Sequence, residues 1–129
     1  MENLPQAPAD RFLPVLEALS DSALRREVES AQELRIASHN HGGKCLDIAY
    51  APFDHVNPKA QIVIVGITPG RQQMVNALLE CQRQLHSGAV REQALAAAKV
   101  HASFSGPMRA NLVSMLDDIG VAQLLGLLT

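Results

Sequence analysis

Ile62-Val63-Ile64-Val65 is an unbroken run of four β-branched apolar residues, closed by Gly66. With no polar alternation, it predicts a strand buried on both faces of a parallel α/β sheet. Thr68-Pro69-Gly70 follows and leads into a segment with helical spacing. Thr68 suits the N-cap, and Pro69 suits the first helical position, where its missing N–H would be unpaired anyway. The expected unit is strand, tight loop and helix N-terminus. In α/β proteins, free backbone N–H groups and the positive end of the helix dipole gather anions there. Arg71 adds a second sign. A cation in the first turn opposes the dipole by about 0.3–1 kcal/mol, and either a bound phosphate or a side chain turned into water relieves that conflict.

A chain of 129 residues, 47% hydrophobic and 19% charged, fits one globular domain able to bury a core. No window holds the eighteen or so apolar residues of a membrane-spanning helix, and no membrane partner is expected. The N-terminus, MENLPQAPADRF, lacks the basic and apolar regions of a signal peptide, so the expected location is cytoplasmic. Cys45 and Cys81 are too few for a disulfide framework, a four-cysteine metal site or an iron–sulfur site. No cofactor is expected. A net charge of −2 argues against long electrostatic clamping of nucleic acid, though a local basic cleft is compatible with it.

Residues 1–10 read as a loose arm and residues 11–129 as a single α/β domain. Phe12, Val15, Leu16 and Leu19, then Leu24, Val28 and Ala31, mark one or two helices covering a sheet face. His39-Asn40-His41-Gly42-Gly43 signals a turn, and Leu46 to Tyr50 alternates like an edge strand, giving a hairpin that leads into the central strand. His39 and His41 beside Cys45 fit either exposed loop histidines or an incomplete metal site, for no fourth ligand has a usual spacing. Met74, Leu78, Cys81 and Leu85 form a stripe that predicts packing on the sheet, with Cys81 inert in the core. A second helix spans 90–101. Ser103-Phe104-Ser105-Gly106-Pro107 then enters a third, whose stripe is Met108, Leu112, Met115, Leu116 and Ile119, with Gly120 closing it. Arg109 in its first turn repeats the arrangement of Arg71. Together these elements predict a three-layer α/β/α fold on a mainly parallel sheet, incomplete at its C-terminal end.

Two blocks resemble the uracil-DNA glycosylase superfamily. The first, Val56 to Gly70, resembles that family's first strand and the water-activating loop after it, written G-x-N-P-G or G-E-A-P-G in different branches. The second, from Phe104-Ser105-Gly106 to Gly120-Val121, resembles the segment that begins F-V-G and continues into a leucine-rich helix. The blocks, residues 56–70 and 104–121, cover about a quarter of the chain. The resemblance implies a DNA base-excision domain that holds a flipped base of damaged DNA. Thr68 is then the catalytic position. Gly66, Ile67, Pro69, Gly70, Arg71, Phe104, Ser105 and Arg109 bind base or phosphate, with Phe104 stacked on the base. Thr68 stands where branches carry Asn, and Ile67 where the iron–sulfur branch carries Glu. The family's base-reading Asn and late His have no counterpart here, so this chain by itself is expected to excise little uracil. Phe104 also fits a core anchor.

Two further classes stand beside this one. One is a nucleotide- or phosphate-binding module built on residues 68–71. The other is a non-catalytic interaction domain that forms a homodimer through an unpaired sheet edge.

Overall fold

Pro8 opens the first helix, α1 (Pro8–Ala18), where its fixed φ suits a helix and its missing N–H would have no partner. The structure, a computed structural model, describes residues 7–127. Residues 1–6 of the expected arm lie outside these, and residues 8–10 are helix. Helix α2 (Asp21–Glu29) is capped by Ser20, whose Oγ accepts the Ala23 N–H at 3.1 Å. Helices α3 (Arg71–His86) and α4 (Arg91–Ala102) form the longest helical pair.

These four helices make the core. Phe12, Leu13 and Leu16 of α1 meet Leu24 of α2, Leu78 and Cys81 of α3, and Ala94, Leu95 and Ala98 of α4. Helix α3 packs mainly on α4 and also touches α2 and α1. Ala94, Ala98 and Ala102 are fully buried, and their small side chains let α4 lie close to its neighbour. Each fully buried leucine here is worth about 1.5–3 kcal/mol. Polar ties fix the helix ends. Gln82 Nε2 donates to the carbonyls of Leu16 at 2.8 Å and Leu19 at 2.5 Å, and His86 Nε2 lies 2.8 Å from the Glu17 carbonyl. Those carbonyls at the end of α1 have no intrahelical donor of their own.

Glu27 joins the helices to the sheet. Its buried carboxylate accepts the N–H groups of Gln32 at 2.8 Å, Glu33 at 3.2 Å and Leu34 at 3.0 Å. The Tyr50 N–H then closes onto the Leu34 carbonyl at 2.8 Å, and the Tyr50 ring stacks on Phe12 with centroids 5.1 Å apart. Between these points runs an antiparallel hairpin, β1 (Arg35–His41) and β2 (Lys44–Ala49). Gly42 and Gly43 have φ of +56° and +76°, the two positive values that a type I′ two-residue turn requires. The hairpin therefore forms as expected, but His39 and His41 lie in strand β1 instead of the turn. Residues 35–48 are all exposed.

Helix α5 (Pro107–Asp118) buries none of its residues, and α6 (Val121–Leu124) follows Gly120, whose φ is +87°. Of the stripe of α5, Met108, Met115 and Ile119 are exposed and Leu112 and Leu116 are half-buried, with α6 as the helix packed beside it.

The fold differs from the three-layer α/β/α arrangement on a parallel sheet. Among the described residues the only sheet is the two-stranded antiparallel hairpin, and six helices supply the rest. Residues 61–66 pair with no strand and are exposed. The physical reason is that a strand is buried only when neighbours lie on its edges and layers on its faces. The described chain supplies neither to Ile62–Val65. Accordingly the stripe of α3 packs on helices and not on a sheet.

Candidate functional site

Residues 61–67 expose their side chains in alternation. Ile62 and Ile64 are 37% and 45% exposed, whereas Val63, Val65 and Ile67 are 75%, 86% and 103% exposed. That is the period of two of a strand, with one half-covered face and one bare apolar face. The segment carries no charge between Lys59 and Arg71 and holds four consecutive residues of high β propensity. Apolar, uncharged and unpaired, it has the features that native proteins usually conceal.

Next to it is the start of α3. The helix begins at Arg71, with Gly70 as its N-cap, so Thr68 does not cap it and Pro69 precedes the first turn. Gly70 offers no side-chain acceptor; instead Gln73 Oε1 accepts the Gly70 N–H at 2.7 Å. Gly66, Ile67, Thr68, Pro69 and Gly70 are all exposed. Arg71 donates to Glu29 Oε1 at 2.9 Å, and both side chains are well exposed. This pair gives Arg71 a partner that the sequence left open, though exposed pairs of this kind contribute little stability.

The second block comes back to the same helix. Asn76 Nδ2 of α3 donates to Ser105 Oγ at 3.0 Å, and Gln73 Nε2 lies 3.4 Å from Met108 Sδ. Two regions separated by some thirty residues thus meet at the first turns of α3. Phe104 is half-buried and has φ of +53°, the positive-φ non-glycine residue among those described. A bulky residue held there stores strain of order 1–3 kcal/mol. Arg109 is occupied elsewhere. Its guanidinium donates to the carbonyls of Val100 at 2.7 Å, His101 at 3.0 Å and Ser103 at 2.7 Å, capping the C-terminal end of α4. A cation at that negative dipole end is well placed, and it is not free for a phosphate in this arrangement.

Buried groups elsewhere are quiet. Burial pushes the Cys81 thiol up to about 12, in keeping with an inert core cysteine. Burial, and then the 2.8 Å hydrogen bond that its hydroxyl donates to Asp54, raises Tyr50 above the ordinary phenol range. On one face of the hairpin, Ser38 Oγ donates to Asp47 Oδ1 at 2.6 Å, and this bond, with help from Cys45, lowers the Asp47 carboxyl. Among the described residues no three His, Cys, Asp or Glu side chains converge as a metal site, and no helix is long and apolar enough to cross a membrane.

Sequence reasoning missed Glu27 and the outward stripe of Val63, Val65 and Ile67. Glu27 was detectable, because it lies three residues after Leu24 and four before Ala31 and so shares their buried face.

No protein-family profile matches the chain, and no solved structure matches it. It is similar to the uncharacterized protein YoxB of Bacillus subtilis (strain 168), with 42% identity over 83 residues, or 64% of this chain and 32% of YoxB. The chain thus spans about a third of the length of the relative it matches.

Proposed function

We infer that this chain is an interaction module: a four-helix core presents a bare apolar segment, residues 61–67, that forms a strand by pairing with the same segment of a second copy. The observation that carries this reading is the outward stripe of Val63, Val65 and Ile67, all at least three-quarters exposed. Three such side chains from each copy, at about 1.5–3 kcal/mol each when fully buried, give a gain of the same order as the roughly 4–15 kcal/mol cost of association. The segment carries no charge, so two copies meet without like-charge repulsion, and a two-fold axis pairs one edge of each copy with the same edge of the other. Lys59 and Arg71 at its ends limit growth into longer stacks.

The test is sedimentation of the wild type and of Val65→Lys from low-micromolar to near-millimolar concentration. The wild type should form a dimer and Val65→Lys should remain a monomer of unchanged melting temperature. A monomeric wild type refutes pairing between copies, and one that pairs instead with an added β-forming peptide assigns the strand to a different partner.

A second reading, binding of a nucleotide base as in a glycosylase-like domain, is favoured by the strained, half-buried Phe104 next in sequence to Ser105, which bonds Asn76 of α3. Stacking on a base is worth about 1–3 kcal/mol. Phe104→Ala should therefore weaken binding of a single-stranded uracil-containing oligonucleotide by about ten- to hundredfold. Unchanged binding, or no binding by the wild type, refutes this reading. Release of uracil that is abolished by Thr68→Ala would extend it to excision.

A further inference from the structure

The strand register places His39 and His41 where a loop would not. His39 pairs with Leu46 and His41 with Lys44, so the two imidazoles lie on one face of β1 as residues i and i+2. Their rings are 6.4 Å apart at the centroids and only 10° from parallel. Both side chains are exposed, and no hydrogen bond holds either among the described residues. Ser38, Asn40, Cys45 and Asp47 occupy the opposite face, as the contacts of Ser38 with Cys45 at 3.4 Å and Asp47 at 2.6 Å show.

We propose that His39 and His41 form a two-imidazole chelate for a divalent transition-metal ion, with water completing its coordination. A metal–nitrogen distance of about 2.0–2.1 Å around a tetrahedral ion sets two imidazole centroids about 5 Å apart. The observed pair is wider and its rings lie nearly parallel, so both exposed imidazoles must rotate about their side-chain bonds to aim a nitrogen at one ion. Imidazole suits Zn²⁺, Ni²⁺ and Cu²⁺, and the order of affinity for such a site is Cu²⁺ above Ni²⁺ and Zn²⁺. Hard cations such as Mg²⁺ and Ca²⁺ prefer oxygen ligands and are not bound. The hairpin supplies the preorganisation: strand geometry fixes both Cβ positions, so the second imidazole binds at high effective concentration once the first is engaged.

Calorimetric titration with NiCl₂ and CuCl₂ tests this on the whole chain. One ion should bind per chain, and His39→Ala and His41→Ala should each weaken binding by about tenfold or more as the chelate is lost. Cys45→Ser and His55→Ala should leave binding unchanged. Copper bound to the wild type should show hyperfine splitting from two nitrogens, and from one in either histidine variant. His39→Gln and His41→Gln, which keep a polar strand residue, should lose binding as the alanine variants do. Absence of binding, or loss in only one of the two histidine variants, overturns the proposal. So does a loss caused equally by Cys45→Ser.

Discussion

Glu27→Ala should destabilise the chain far more than removal of an ordinary helix glutamate. The carboxylate is 7% exposed and accepts three backbone N–H groups, from Gln32, Glu33 and Leu34. Hydrogen bonds to a charged acceptor contribute about 1.5–3 kcal/mol each, and a buried donor left unpaired costs about 1–3 kcal/mol. The Leu34 N–H is buried, whereas those of Gln32 and Glu33 are half-covered and can turn to water. The net loss is therefore about 3–4 kcal/mol and not the full sum of three bonds. In a chain of this size that lowers Tm by roughly 10–15 °C. Glu27→Gln keeps one carbonyl for Gln32 and Leu34 but turns an N–H toward Glu33, so its loss should be about half as large. Urea denaturation followed by circular dichroism measures both. Because Tyr50 hydrogen-bonds Leu34, amides at the hairpin base should also exchange faster in Glu27→Ala. A loss below about 0.5 kcal/mol, the range of ordinary surface changes, would refute the idea that this carboxylate ties the helices to the hairpin.

Leu78→Ala should cost about 2–5 kcal/mol, because Leu78 is fully buried at the centre of the helical cluster, and thermal denaturation measures it. Glu80 supplies an acid-sensitive term. The hydrogen bond from Arg83 holds its carboxyl at about 2 against an ordinary 4.5, so its stabilisation is present above about pH 4.5 and is lost as pH falls toward 2. Water around the exposed Arg83 screens the pair, which limits the effect to about 1 kcal/mol or less. Glu80→Gln should flatten the stability profile across that window, and an unchanged profile would count against the pair.

Local signals in the sequence located most of the elements. Gly42-Gly43 marked the hairpin turn because two positive φ values are needed there, and Pro107 and Gly120 bracketed α5. The stripes of α1 to α3 marked core residues, since Phe12, Leu16, Leu24, Leu78 and Cys81 are all buried. Tertiary context was not legible. The run Ile62–Val65 states what kind of environment would bury it, but not whether strands exist to provide one. For the same reason α5 shows a stripe of which, among the described residues, Leu112 and Leu116 are only half-covered and the rest is exposed. At the candidate site, the sequence drew attention to Arg71, Phe104, Ser105 and Arg109 without their partners. Glu29, Asn76 and the carbonyls ending α4 are far from them in sequence or anonymous in composition.

Hydrogen exchange at the amides of residues 62–67, followed against protein concentration, tests the central claim most directly. A bare, unpaired segment in the monomer should exchange at near-unprotected rates when dilute and gain protection at high concentration as two copies pair, with Val65→Lys showing no gain. Strong protection at the lowest concentration would mean that the strand is already covered within one chain. Fast exchange at every concentration would mean that copies of this chain do not pair through it. Either result contradicts the account.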